Sequence, residues 1–175
     1  MRTVCRRPAI LTLVAAAALS LAGVAQGQER PGDKGETADA KKLKGRSTAP
    51  QAAAIDSAVT LDTMLSKNDA SAFSQSKGAT IEGWVVQAED EEDGDFHVVL
   101  AANRGETDTK KWVIVEVTPA WQKKSAALSP HALHEMVGKK VRVTGWLYYE
   151  PDEDQLDPRG TRWEIHPVTS ISEAK

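Results

Sequence analysis

Hydrophobic and polar residues alternate along the second half of the chain, as they do in half-buried β-strands. In residues 95–102, Phe96, Val98 and Leu100 fall on one face, while Asp95 and His97 fall on the other. Further runs of strand-forming residues occupy 79–88, 111–117, 139–149 and 162–170. The pattern therefore predicts five β-strands.

A helical period replaces this alternation at two places. Residues 57–73 carry apolar side chains at roughly helical intervals, which predicts a short helix before the first strand. Residues 129–138 begin with Ser129 and Pro130 and end at Gly138, a suitable cap, first position and stop. They predict a second helix between the third and fourth strands.

The order of these elements indicates a known architecture. Three strands, a helix and two strands, with glycines inside the first and fourth strands, match the OB-fold, a five-stranded Greek-key barrel. We therefore predict a mainly β chain with an OB-fold-like barrel at 78–175 and a short helical lead-in at 57–77.

The N-terminal region has a different composition. Residues 1–27 place arginines before an apolar run and small residues before Gln28, the layout of a secretory signal peptide. This predicts a periplasmic or extracellular protein that meets the membrane only during export. The one cysteine, Cys5, leaves with this segment, so disulfides and thiolate metal sites are excluded. Residues 28–56 have no aromatic and few aliphatic side chains, which predicts a disordered linker.

Acidic residues outnumber basic ones, and removal of residues 1–27 increases the imbalance. The three arginines lost lower the basic count from 22 to 19 against 25 acidic residues, a net charge of −6. Nucleic-acid binding draws much of its affinity from Lys and Arg at phosphates, so this charge disfavours nucleic acid as a partner. Two acidic loops, at 89–95 and 150–157, could hold a cation or could be solvated turns.

Two histidines lie beside acidic residues on the predicted strands. Asp95 and His97 share a face of the second strand, Glu164 and His166 share a face of the fifth, and Glu116 lies near the end of the third. If these faces meet, two imidazoles and three carboxylates converge, a set that can bind a divalent metal or perform acid-base chemistry. In the alternative, each histidine bonds a neighbouring carbonyl or carboxylate and stabilises barrel closure.

Five tryptophans lie within or between the predicted strands. We assign Trp84, Trp146 and Trp163 to the barrel interior or the helix contact, because they occupy alternating strand positions. Trp112 and Trp121 are the expected exposed ones and are the candidates for stacking against a ligand.

Four segments within the predicted strands form a recognisable pattern: GDFHVVL at 94–100, VIVE at 113–116, VRVTG at 141–145 and WEIHPV at 163–168. This pattern, G-D-x-H-x-x-L, E, V-x-V-x-G and E-[IL]-H-P-V, resembles a group of small exported bacterial proteins over about residues 78–172. The resemblance implies an OB-like fold and no established activity. Many of that group have Asn-Gly before the last strand, where this chain has Arg-Gly-Thr-Arg at 159–162.

These features predict an exported, non-catalytic binding module for an unknown small or cationic ligand, a glycan or a protein. One alternative is a metal-dependent hydrolase that uses the His/Glu cluster, and another is single-stranded nucleic-acid binding by fold analogy alone. The sequence has no Ser-His-Asp order, phosphate-binding glycine loop or zinc motif, so we expect no enzyme and no obligatory cofactor. It leaves open a divalent metal and the oligomeric state.

Overall fold

The computed structural model describes residues 37–151 and 159–175. Within them, five strands form the body of the protein: β1 (Gly78–Asp90), β2 (Phe96–Ala101), β3 (Val113–Val117), β4 (Lys140–Tyr149) and β5 (Trp163–Glu173). Four short α-helices accompany the strands: α1 (Ala38–Lys44), α2 (Leu61–Ser66), α3 (Pro119–Gln122) and α4 (Pro130–His134).

The strands close into one barrel in the order β1-β2-β3-β5-β4, and β4 pairs back onto β1. β3 and β5 run parallel, while the other neighbouring pairs are antiparallel. α3 and α4 lie in the chain between β3 and β4. This order is that of the OB-fold, so the predicted mainly β, five-stranded barrel with a helical insertion is confirmed.

The barrel interior is built from one face of each strand. Phe96, Val98 and Leu100 of β2 are fully buried, as their alternation predicts. Each such side chain contributes roughly 1.5–3 kcal/mol through burial, which makes the interior the main source of stability. Val59, Leu61 and Met64 of the lead-in segment are buried in the same core.

The helices are shorter than the sequence predicts. Only Leu61–Ser66 of the predicted helix at 57–73 is helical, because Thr60 and Thr63 form a capping box that starts it there. The insertion between β3 and β4 divides into α3 and α4, each with a proline in its first turn.

The face of β5 changes partway along the strand. The sequence places Val168 on the face of Glu164 and His166, but Val168 instead lies in the core with Ile165. The β4–β5 register shifts around Gly145, where a Cβ atom would collide with the Pro167 carbonyl and the Ile165 side chain. The His166–Pro167 peptide bond is cis. Glu164 and His166 consequently lie outside this core.

Residues 37–56 are docked on the barrel, so the predicted disorder of the linker is wrong over this part. The Trp121 indole N–H donates to the Arg46 carbonyl at 2.9 Å, and that of Trp146 donates to the Thr48 carbonyl at 2.7 Å. The Arg46 guanidinium also lies 4.4 Å from the Trp146 ring centre, a cation–π contact. The composition of the segment did not reveal this docking, because the aromatic partners belong to the barrel.

Residues 1–36 lie outside the described part of the chain, and so do the predicted signal peptide and the first part of the predicted linker. Within residues 37–151 and 159–175, no helix is long and apolar enough to cross a membrane. Export therefore stays a prediction.

Candidate functional site

The outer face of three neighbouring strands brings the predicted acidic and histidine residues together. His97 of β2 pairs across the sheet with Glu116 of β3, and β3 lies beside β5 through Val115 and Ile165. Because the sheet order is β2-β3-β5, side chains pointing outward from the three strands form one row. The row and the adjoining loop position contain the five expected residues: Asp95, His97, Glu116, Glu164 and His166.

Glu116 lies at the centre of this cluster because its two oxygens contact different histidines. Its Oε1 lies 2.8 Å from His97 Nε2, and its Oε2 lies 2.6 Å from His166 Nδ1. The other ring nitrogen of His166, Nε2, lies 3.4 Å from Asp95 Oδ2. Glu164 Oε2 lies 3.6 Å from His166 Nδ1. One carboxylate therefore bridges the two imidazoles.

Four of the five cluster residues are almost inaccessible to solvent, and the His97 side chain keeps 19% of its surface exposed. The relative exposure is 0% for His166, 1% for Glu164, 2% for Asp95 and 6% for Glu116. Burial of unbalanced carboxylates costs several kcal/mol each, so positive charge must accompany them. Arg159 supplies part of it through an ion pair with Glu164.

Two members of the site escaped the sequence analysis. Arg159 belongs to the loop before β5, and Glu91 of the β1–β2 loop lies 3.2 Å from His97 Nδ1. The period of a strand assigns faces to strand residues, but it says nothing about how a loop folds back. The only signals were the acidic composition of the first loop and the Arg-Gly sequence at 159–160.

The ionisation of the cluster follows from these contacts. Burial works against a charged imidazole at His97, but the attraction and hydrogen bond of Glu116, with Glu91 adding, raise the pKa of His97 to about 9. The pKa of His166 is likewise raised well above its usual range, against its burial and chiefly by Glu116. Burial would raise the pKa of Glu116, but the two histidines hold it well below its usual range. At neutral pH the cluster therefore contains charges of both signs.

The hydrogen bonding of the most deeply buried members is incomplete. Among the described residues, neither ring nitrogen of His166 finds a partner at the angles that a hydrogen bond requires, despite the short distances to carboxylates. Glu164 Oε2 also lacks a hydrogen-bond partner among the described residues. Buried polar atoms are normally satisfied, so these three atoms are exceptions to the usual pattern.

A cleft of about 350 Å³ opens over one side of the cluster. Its lining is predominantly acidic. It includes three of the predicted residues, His97, Glu116 and Glu164, together with Glu91 and Arg159. The residues that line it are Lys44, Glu91, Glu92, Asp93, His97, Glu116, Glu150, Arg159 and Glu164. His166 and Asp95 are absent from this lining, so they belong to the buried side of the site. Residues 152–158 of the second predicted acidic loop lie outside the described residues.

The tryptophans differ from expectation. Trp121, expected to be exposed, retains 8% of its surface because residues 37–56 cover it, and Trp112 is half-buried with its indole N–H on the Glu106 carbonyl. Of the three tryptophans assigned to the barrel interior or the helix contact, Trp163 is fully buried, while Trp84 and Trp146 are half-buried. Neither predicted stacking residue lines the acidic cleft.

Comparison with known proteins gives structural matches alone: no family model and no curated protein matches this chain. The S. pombe Stn1–Ten1 complex matches with 15% identity and a TM-score of 0.36, covering 56% of this chain and 58% of that one. Entamoeba histolytica asparaginyl-tRNA synthetase matches with 14% identity and a TM-score of 0.40, covering 62% of this chain and 22% of that one. Entamoeba histolytica aspartyl-tRNA synthetase matches with 18% identity and a TM-score of 0.36, covering 57% of this chain and 20% of that one.

These matches correct one prediction. Enzymes named for tRNA occur among them, so the prediction from charge that nucleic acid is an unlikely partner is wrong. This chain spans just over half the length of the Stn1–Ten1 chain and about a fifth of the synthetase chains. Likeness at this level of identity and TM-score gives this chain neither a ligand nor an activity.

Proposed function

We propose that this protein is a non-catalytic binding module that holds a small cationic ligand in the acidic cleft. The cleft lies on the outer face of β2 and β3 and is bordered by the β1–β2 and β4–β5 loops. In OB-folds, this face and these two loops are the usual binding surface. The volume of about 350 Å³ is within the range of small-molecule sites.

The observation that carries this proposal is the charge of the lining. Six carboxylates line the cleft, contributed by Glu91, Glu92, Asp93, Glu116, Glu150 and Glu164. The two permanent cations in the lining are already engaged, since Lys44 contacts Glu150 at 2.8 Å and Arg159 contacts Glu164. A surface of this sign concentrates cations and attracts them into the cleft.

Isothermal titration of the full chain with spermidine and with Zn²⁺ tests the proposal. We expect saturable binding of at least one probe and a loss of about tenfold or more in affinity on Glu91→Gln or Glu116→Gln, because each substitution removes a negative charge from the lining. Glu82→Gln is the matched control, because Glu82 pairs with Arg142 and Lys140 outside the cleft. Absence of saturable binding by both probes would overturn the proposal. Unchanged binding in a variant that carries both Glu91→Gln and Glu116→Gln would also overturn it.

We also propose that the module acts after export. The support is the basic, apolar and small-residue order of residues 1–27. Mass spectrometry of the protein recovered from a bacterial periplasmic fraction should find a chain that begins near Gln28. A chain recovered only from the cytoplasm with its first 27 residues intact would contradict export and leave the binding proposal untouched.

A further inference from the structure

We propose that Asp95, Glu116 and His166 form a binding site for a divalent first-row transition metal. This inference rests on the cation-binding role proposed above, because Glu116 belongs both to the cleft lining and to this set, and it assigns a metal to the buried side of the site. It assigns the ligand set to three of the five clustered residues. His97 acts as a positioning residue for Glu116.

The geometry supplies the first argument. One ligand atom from each of Asp95, Glu116 and His166 can be chosen so that all three lie within 4.8 Å of one another. Metal bonds of about 2 Å place neighbouring ligand atoms roughly 3–4 Å apart, so small side-chain movements would close this set around one ion. The three residues come from the β1–β2 loop, β3 and β5, which the barrel holds in fixed relation.

The unsatisfied atoms supply the second argument. His166 is fully buried, and within the described residues neither of its ring nitrogens has a hydrogen-bond partner. A buried imidazole normally directs one nitrogen at a ligand or acceptor and the other at an orienting group. A metal ion beside His166 would provide the missing partner for one nitrogen.

Charge supplies the third argument. Asp95, Glu116 and Glu164 are buried to 6% exposure or less, and Arg159 pairs with Glu164. Buried carboxylates require positive charge beside them, and a divalent cation can supply the part that the two imidazoles carry in the unliganded cluster.

The donor types select the kind of metal. One imidazole nitrogen with two carboxylates suits Zn²⁺ and neighbouring transition metals, whereas Ca²⁺ prefers six to eight oxygen ligands. His97 binds the Glu116 oxygen opposite the one that contacts His166, which fixes the orientation of that carboxylate. Groups that orient metal ligands in this way typically change affinity by about 10–100-fold when removed.

The test uses the full chain stripped with a chelator and titrated with Zn²⁺, followed by metal analysis after gel filtration. We expect one equivalent of Zn²⁺, and affinity about 100-fold lower in His166→Gln and Asp95→Asn. His131→Gln is the control for adventitious binding, because His131 is exposed on α4. X-ray absorption at the zinc edge of the unmodified protein should show oxygen ligands with a single imidazole, which keeps the test decisive if a variant does not fold.

The outcomes separate this inference from the binding proposal. Spermidine binding that depends on Glu91 and Glu116, with no Zn²⁺ bound, would leave the cation-binding role intact and overturn the metal site. Zn²⁺ binding unchanged by His166→Gln, or an absorption spectrum without imidazole, would also overturn it. Failure of both probes would remove both proposals. Ca²⁺ binding as tight as Zn²⁺ would contradict the class of metal.

Discussion

Glu116 is the residue on which the outer face of the barrel depends, because one carboxylate contacts imidazoles from two different strands. Its role follows from sheet order. Strand periodicity alone places Glu116 on the same face as Trp112 and Ile114, and it gives no spatial relation between Glu116 and His166. The barrel places β3 between β2 and β5, and this turns three separate sequence motifs into one cluster.

Substitution Glu116→Gln should lower the free energy of unfolding of the unliganded protein by about 3–5 kcal/mol, because it leaves His97 and His166 buried without their shared carboxylate. Urea unfolding followed by tryptophan fluorescence at pH 6 measures the change. Glu106→Gln provides a comparison, since Glu106 contacts Lys111 at 3.4 Å near the surface and its substitution should lower the free energy of unfolding far less. Equal changes in the free energy of unfolding for the two substitutions would contradict the stabilising role of the contacts between Glu116 and the two histidines.

At the residue scale, sequence reasoning identified the five strand and loop residues but omitted Arg159 and Glu91. The difference has a physical cause. A strand residue has only two faces to choose from, so alternation nearly determines its direction. Arg159 reaches Glu164 through a loop whose backbone path depends on the completed barrel.

At the scale of elements, the strands were predictable and the N-terminal segment was not. The predicted strand at 79–88 became Gly78–Asp90, and the one at 139–149 became Lys140–Tyr149. A strand can be predicted from its own sequence, because its apolar and polar residues alternate with a period of two. Residues 37–56 are held by groups of the barrel, including two indole N–H donors. The composition of the segment alone therefore could not predict that it is ordered.

The docked segment gives a prediction of its own. Trp146→Phe removes the 2.7 Å hydrogen bond to the Thr48 carbonyl and part of the contact with Arg46, and should destabilise docking by about 1–2 kcal/mol. Limited proteolysis should then cut within residues 37–56 several times faster than in the unmodified protein.

Trp84→Phe serves as the matched control for that experiment. Trp84 is also half-buried and also lies under an arginine, Arg104, at 5.6 Å, but this contact is remote from residues 37–56. Proteolysis of the segment should be unchanged in this variant. Equal acceleration in both variants would mean that general destabilisation, and not loss of docking, controls cleavage.

For the whole molecule, the charged cluster should produce a stability maximum in mildly acidic solution. The pKa of His97 rises from 6.5 to about 9 on folding, so its contribution is complete below pH 6.5 and is lost as the pH approaches 9. This loss is on the order of 3 kcal/mol. The pKa of Glu116 falls below 4.5 on folding, so its contribution is present above pH 4.5 and is lost in stronger acid.

Urea unfolding of chelator-treated protein between pH 3 and 10 measures this profile. The free energy of unfolding should be highest between about pH 4.5 and 6.5 and should decline on both sides. His97→Gln should make the decline between pH 6.5 and 9 shallower without abolishing it, because the pKa of His166 is also raised, and it should leave the acid limb. A flat profile across this range in the unmodified protein would contradict the charge assignment.

Sequence reasoning was most successful for the topology of the whole molecule. Three strands, a helical insertion and two strands left few alternatives to the OB-fold, because connections are short and neighbours in sequence tend to pair. The order of the elements did not predict the change of face within β5. There the β4–β5 register shifts around Gly145, and Val168 lies in the core.

The position of β5 in the barrel affects how easily the incompletely folded chain aggregates. This strand of 11 residues is the last of the five barrel strands in chain order, and it lies between β3 and β4. Until it docks, both of those neighbours present open edges with unpaired backbone groups, which readily recruit strands from other molecules. Resistance to aggregation therefore depends on the docking of β5, and a nascent or truncated chain that lacks this strand is the form most in need of protection.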